Sequence, residues 1–307
     1  MSDHDPDLEP VHDDAGDVVV AGIDELPDDA VKKTLGWAFW VCLAWLGGLV
    51  AVAMLAPFLP IEDPTEFRVG PTNEGPSWSH WFGTDKAGRD VFARAVWGAR
   101  ISLVVGFFAI TFGLVVGGTL GMLAGFLRGW VDQVISFIFF AVLSFPALVL
   151  AILIVTSVER SLQTVSLTLG VLSVAPVGRL ARAQTLVFAE REFVHAARVI
   201  GAKNGRILVR ELLPNVLIPM GALGLLGMGV AIVAEGGLAF LGLSIAGENA
   251  GSLSWGKLIN ESRSIRDLQN IPHVAFSIIG VMFLTILSLN FAGDRVREYT
   301  DVRETAF

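Results

Sequence analysis

The stretch FVHAARVIGAKNGRILVRELLPN, Phe193 to Asn215, is basic and amphipathic, and it stands between two long apolar segments. Gly201 to Gly205 break its helical pattern, which predicts two short helices joined by a turn. Asn204 is placed to cap the second of them. Pro214 is expected to stop that helix and launch the next apolar run. If helical phase is kept, Arg191, His195, Arg198, Arg206 and Arg210 form one stripe. Phe193, Ala197, Ile200, Ile207, Leu208 and Leu212 supply apolar surface. Such a pattern suits a helix lying on anionic lipid headgroups. It equally suits a helix that docks in a groove of a protein partner. Pattern alone does not choose between them.

Working outward, the chain of 307 residues is 53% hydrophobic and 17% charged, against about 25% charged in soluble domains. Long uncharged runs point to a membrane protein. The net charge of −8 misleads, because the first thirty residues hold eleven acids and no Lys or Arg. Without that block the remainder is roughly +3. Like-charge composition with few large apolar residues predicts a disordered tail that is dispensable for assembly. The first apolar run is too long for a signal-peptide core and follows acids, so it reads as a permanent span.

Six transmembrane helices are predicted: Leu35–Pro60, Ile101–Leu127, Gln133–Val158, Leu162–Gly178, Val216–Ala246 and Val274–Gly293. These runs lack the alternation of barrel strands, so the fold class is an all-α membrane protein. Lys32, Lys33, Arg128, Arg179, Arg182, the 190–214 segment, Arg295 and Arg297 fall on one side. The basic bias makes that side cytoplasmic, with both termini on it. Trp37, Trp40 and Trp130 would mark the inner interface and Trp97 the outer one.

Gly113, Gly117, Gly121 and Gly125 recur every four residues and so line one helix face, suited to close helix packing within the fold. Pro146 should kink the third span. Glu235 interrupts the fifth. A carboxylate there either faces protein or water, or marks the end of the span at Ala234. Pro146 and Glu235 are the candidates for a place on a pathway or gate. Gly83-Thr84-Asp85 predicts a turn whose Asp caps a surface helix around Gly88–Gly98. Cys42 is the lone cysteine, and His4, His12, His80, His195 and His273 are scattered, so no metal site and no disulfide are expected.

The order of residues in HAARVIGAKNGRILVRELLPN resembles the EAA loop of permease subunits in ABC importers. Ala196, Ala197, Gly201, Leu213 and Pro214 match that pattern in spacing. His195 stands where the motif has Glu, and Glu211 where it usually has a hydrophobic residue. FGTDKAGRDVFARAVWGARISL, Phe82 to Leu103, is similar to the signature before the second span in C-type permeases of dipeptide, oligopeptide and nickel importers. EGGLAFLGLSI from Glu235, followed by Ser254-Trp255-Gly256, and GDRVREYTDVRE near the C-terminus resemble two further regions of that family. The resemblance spans about residues 35 to 303. It implies the type I ABC importer permease fold with cytoplasmic coupling helices, in the cell membrane of a prokaryote. It assigns coupling to His195, Ala196, Ala197, Gly201, Ala202, Leu213 and Pro214.

The implied organisation is an acidic tail at 1–31, the first span with an external segment at 32–100, and a permease core at 101–297. That core contains the coupling loop 190–214, and a cytoplasmic tail follows at 298–307. The implied partners are a homologous B-type permease, two ATP-binding subunits and an external substrate-binding protein, with no nucleic acid. The chain has no G-x-x-x-x-G-K-[S/T] phosphate loop, so it is expected not to be an enzyme. ATP and Mg would be held by the partner subunits. Peptides are the expected substrate, with nickel or another small solute as the alternative. A membrane enzyme needs converging acids, bases or metal ligands, and a self-powered carrier needs buried ionisable residues; Glu235 alone meets neither requirement well.

Overall fold

A computed structural model describes residues 35–301; the acidic tail and the last few residues lie outside that range. Among the described residues there is no strand, only an isolated bridge between Thr84 and Asp90. The helices, in chain order, are α1 (Gly36–Leu55), α2 (Val91–Leu127), α3 (Gly129–Leu143), α4 (Ala147–Ser157) and α5 (Leu162–Ala189). They continue with α6 (Glu192–Val199), α7 (Asn204–Phe240), α8 (Trp255–Glu261), α9 (Ile265–Asn270) and α10 (Pro272–Asp301).

Five of these are long and apolar enough to cross a membrane, and a sixth span exists only if α3 and α4 are counted together. The two meet at a bend of 83°. Their 15 and 11 residues, at about 1.5 Å each, are individually too short for a hydrocarbon core of roughly 30 Å. The expected kink at Pro146 is thus a full break of Gln133–Val158. Proline has no amide hydrogen, and its ring pushes the preceding Phe145 out of helical conformation.

Several expected boundaries move: the first span ends at Leu55 rather than Pro60, and the sixth runs from Pro272 to Asp301 rather than Val274 to Gly293. The surface helix predicted near Gly88–Gly98 and the second span are one helix, α2. Its cap is Asp90, whose side chain accepts from the amide of Ala93 at 2.6 Å. Asp85 instead closes its own turn, accepting from the amides of Ala87 at 2.8 Å and Arg89 at 3.0 Å. The fourth span runs eleven residues beyond Gly178, to Ala189. The fifth begins at Asn204, passes Pro214 and Glu235 without interruption, and ends at Phe240 rather than Ala246.

The glycine stripe explains how α2 and α5 pack. A Cβ on Gly113, Gly117, Gly121 or Gly125 would run into Ser173, the Val174 carbonyl, the Gly178 carbonyl or the Arg182 carbonyl respectively. Four small residues therefore let two backbones touch over three turns. Between Gly113 and Gly117 the helix widens into a single π turn. Ala109, Ile110, Val177 and Ala181 fill the space beside this seam, together with Val216 and Met220 of α7. α10 closes the other side of α7 through Ile278 and Leu289, against Ile232. α1 is apolar and mostly exposed, which suits contact with lipid, and Trp45 of α1 donates to Thr285 of α10 at 3.4 Å.

Candidate functional site

The basic stretch forms a hook at the end of the bundle where α2 and α5 finish. Val194, Ala197, Ile207 and Leu212 are buried there against Phe126 and Ala189. Arg198 lies over the Phe126 ring at 5.9 Å, a contact that leaves its charged head toward solvent. The turn between α6 and α7 is a Schellman motif. The Ala202 amide donates to the Ala197 carbonyl at 3.0 Å, and the Gly201 amide to the Arg198 carbonyl at 3.0 Å. The motif requires a left-handed residue after the helix, and Gly201 supplies it with φ of +83°. Its usual apolar contact joins the residues at either end, here Ala202 and Ala197 in one cluster. The small residues at 197, 201 and 202 thus have a common geometric cause.

The hook sorts the expected coupling residues into two faces. Ala197 is buried, Ala202 and Leu213 are half-buried, and His195, Ala196, Gly201 and Pro214 are exposed. Val199 and Ile200, at 87% and 80% exposure, form an apolar tip beside His195 and Arg198. Val199 lies outside the motif spacing, and its place at the tip follows from the Schellman turn. Two local expectations are corrected. Asn204 does not cap α7: Lys203 occupies that position and no side chain closes it. Pro214 does not stop the helix. α7 opens into a π turn at Ile207–Leu212 just before it, and such a turn absorbs a missing amide without breaking the helix. The Asn215 side chain donates to the Glu211 carbonyl at 2.6 Å. Nearby, Arg182 of α5 grips Asp132 of α3 through Nε at 2.5 Å and Nη2 at 2.7 Å, so the broken span is pinned close to the hook.

At the opposite end, Glu235 is 1% exposed. It faces protein and does not end the span. Its Oε1 accepts from the Ser254 hydroxyl at 2.6 Å, and that hydroxyl also accepts from the Lys257 amide at 3.2 Å to cap α8. Trp255 is fully buried; its amide donates to the Ser102 hydroxyl at 3.1 Å and its indole to the Ala95 carbonyl at 2.9 Å. A Cβ on Gly98 would stand 2.9 Å from the Trp255 ring, and one on Gly256 only 2.6 Å from Gly236 Cα. Ser254-Trp255-Gly256 is therefore a clamp joining α2, α7 and α8. Burial holds the Lys257 amine below its ordinary range.

Charge surrounds this clamp. Arg94, buried, pairs with Glu261 at 2.5 Å and lies 3.7 Å from Asp85, which Arg89 also binds at 2.7 Å. The Phe82–Leu103 signature thus builds the loop that receives α8. Pro146 lies at the break between α3 and α4, and just after it Leu148 of α4 packs near Gly237 of α7, where a Cβ would stand 3.8 Å from Leu148 Cδ1.

Long apolar helices tied at both ends, with a basic hook exposed at one of them, describe a multi-pass membrane protein. The chain belongs to the family described as the binding-protein-dependent transport system inner membrane component, whose model matches residues 117–303. It is 41% identical over 262 residues to the dipeptide transport system permease protein DppC of Alkalihalophilus pseudofirmus, covering 85% of this chain and 84% of that one. It is 36% identical over 254 residues to the glutathione transport system permease protein GsiD of Pectobacterium atrosepticum, covering 82% and 83%. The fold resembles a chain of the inward-facing MetNI methionine ABC transporter, with a TM-score of 0.55 at 19% identity. That likeness covers 68% of this chain and 97% of the other.

Proposed function

We propose that this chain is the C-type permease subunit of an ATP-driven peptide importer and forms half of its translocation pathway. One observation carries the coupling half of the reading: the Schellman turn presents Val199 and Ile200 to solvent beside a basic rim. A monomer gains nothing from exposing two large apolar side chains at the tip of a polar hook. A groove on an ATP-binding subunit would bury them. His195, Ala196 and Gly201 share that outward face, while Ala197, Ala202 and Leu213 hold it in shape. Pro214 sits where the hook passes into the bundle.

The partners in this reading are a homologous B-type permease, two ATP-binding subunits that hold ATP and Mg, and an external substrate-binding protein. This chain holds no nucleotide and hydrolyses none. The hook end and both termini are cytoplasmic, as the basic bias favours. The peptide assignment draws on similarity to the dipeptide and glutathione permeases. When ATP closes the paired ATPase subunits, the docked hooks move with them, and the bundles shift as rigid bodies between two accesses. Proteoliposomes test it. Peptide uptake should require ATP inside, the ATPase pair, both permeases and the loaded binding protein. Uptake that persists without the ATPase pair would overturn the proposal.

A further inference from the structure

The loop that leads into α2 gathers three metal-ligating side chains that are remote in sequence. Glu62 comes from the segment after α1, His80 from a tight turn, and Asp90 from the cap of α2. The turn is fixed by the Ser77 amide donating to the His80 carbonyl at 2.8 Å and the His80 amide donating to Ser77 Oγ at 3.1 Å. His80 and Asp90 are each 6% exposed, and His80 Nδ1 lies 2.8 Å from Asp90 Oδ2. Asp90 Oδ1 is already taken by the Ala93 amide. A Cβ on Gly70 would stand 2.5 Å from His80 Nε2, so the ring is wedged with Nδ1 toward Asp90. The Glu62 carboxylate converges on the same spot: its oxygen, an imidazole nitrogen and an Asp90 oxygen all lie within 4.8 Å of one another.

A buried histidine–aspartate pair alone needs no metal. The third carboxylate changes the balance. Arg89 and Arg94 are engaged with Asp85 and Glu261. Among the described residues neither Glu62 nor Asp90 pairs with Lys or Arg. Two carboxylates therefore meet around one imidazole with no fixed cation to offset them.

We infer that Glu62, His80 and Asp90 form a binding site for a divalent transition-metal ion, with zinc the best fit to one imidazole and two carboxylates. Zinc bonds of about 2.1 Å at tetrahedral angles separate ligand atoms by roughly 3.4 Å. The His80–Asp90 contact opens slightly, the exposed Glu62 closes in, and water takes the fourth position. Coordination through Nδ1 uses the neutral tautomer with its proton on Nε2, so a neutral ring exchanges its proton from Nδ1 to Nε2 through solvent with no net loss. Magnesium and calcium prefer all-oxygen shells and fit poorly. The ion would cross-link the segment after α1, the 77–80 turn and the start of α2. Local sequence spacing cannot reveal such a site, because the fold assembles it across the loop.

The test uses tag-free full chain in detergent, stripped with chelator, titrated with zinc and followed by calorimetry and thermal unfolding. The wild type should bind zinc with a rise in unfolding temperature, and magnesium should produce neither effect. Glu62→Gln should match the wild type without metal, because Glu62 is exposed. It should then lose one equivalent of zinc, or bind it at least about tenfold more weakly, since loss even of a residue that only orients a ligand costs about 10–100-fold. The other histidines contribute equally to both proteins and cancel. No zinc-dependent stabilisation of the wild type, or a loss in Glu62→Gln smaller than tenfold, would overturn the site.

Discussion

Replacing Gly201 with aspartate separates the shape of the hook from its docking. At φ of +83° any residue with a Cβ is strained, at a cost of about 1 kcal/mol, and aspartate is among the side chains that tolerate this region best. Nothing lies within 4 Å of where the new Cβ would stand, so no clash adds to the strain. The hook should therefore fold, insert and pair with the other permease. If its tip is buried against an ATPase subunit, the new carboxylate enters that interface beside Val199 and Ile200 without a partner. An unpaired buried charge costs on the order of 3–5 kcal/mol. At about 1.4 kcal/mol per tenfold, association should weaken by more than a hundredfold. The assay is the affinity of the ATPase pair for the detergent-solubilised permease pair, with uptake measured alongside. Gly201→Ala carries at least as much strain without the charge and should lose only a few-fold. Ile200→Asp carries the charge without the strain and should match Gly201→Asp. Normal affinity in Gly201→Asp would refute docking at this face. An equal loss in Gly201→Ala would place the cause in the shape of the turn.

Gly121→Ala drives a methyl group into the Gly178 carbonyl and should cost about 1–3 kcal/mol by overpacking. Gly118→Ala, which meets nothing within 4 Å, should be neutral, and equal unfolding temperatures for the pair would count against the seam. Glu235→Ala removes the acceptor of the Ser254 hydroxyl, a loss of about 1–3 kcal/mol, and should speed proteolysis of the segment between α7 and α8. Glu235→Gln keeps an acceptor oxygen and should not. In a Cys42→Ser background, single cysteines at the exposed Asn73 and at the exposed Asn249, close to the buried Ser252, should react with an impermeant reagent from outside, and one at Asn204 only after permeabilisation. Labelling of Asn204 from outside would reverse the topology.

What the sequence made legible was whatever rests on local chemistry. Runs without charge revealed the spans, and spacing of four revealed the glycine seam. Gly201 signalled the turn because a left-handed residue leaves a compositional trace. Boundaries were another matter. Asp85 and Asp90 are equally good caps on paper, and only the loop, which occupies Asp85 with Ala87 and Arg89, leaves Asp90 to start α2. Proline gave two outcomes. Pro146 follows a helix end and breaks the span, whereas Pro214 follows a π turn and is absorbed. Glu235 was ambiguous because a carboxylate at a span end and one packed under a clamp look alike until Ser254 is brought to it. His80 looked isolated because its partners stand ten and eighteen residues away.

The continuity of α7 gives those corrections a functional consequence. Ending the hook at Pro214 would make it a separate part joined to the bundle by a hinge. Instead the hook passes directly into α7, whose 37 residues make a rod of about 55 Å. One end carries the apolar tip, and the other carries Glu235 beneath the Ser254–Gly256 clamp. On the proposed coupling, tilting such a rod by about 10° around its middle would move its ends by roughly 5 Å in opposite directions. Closing at the hook would then accompany opening at the clamp without a signal passing through loops. The glycine seam between α2 and α5 supplies the complementary property. Backbones in direct contact resist shear more than interleaved long side chains do, because no rotamer change can relieve the overlap. On the proposed coupling α2 and α5 would move as one body with the hook seated on it through Phe126 and Ala189, and the charged loop around Arg94 ties the far ends of α2 and α8 together. Any departure from rigid-rod behaviour in α7 would fall at the π turn at Ile207–Leu212 or at Pro219, and the corresponding site in α3 and α4 is the break at Pro146. All three coincide with a wider turn or a missing amide, the physical features that let a helix bend without losing its path.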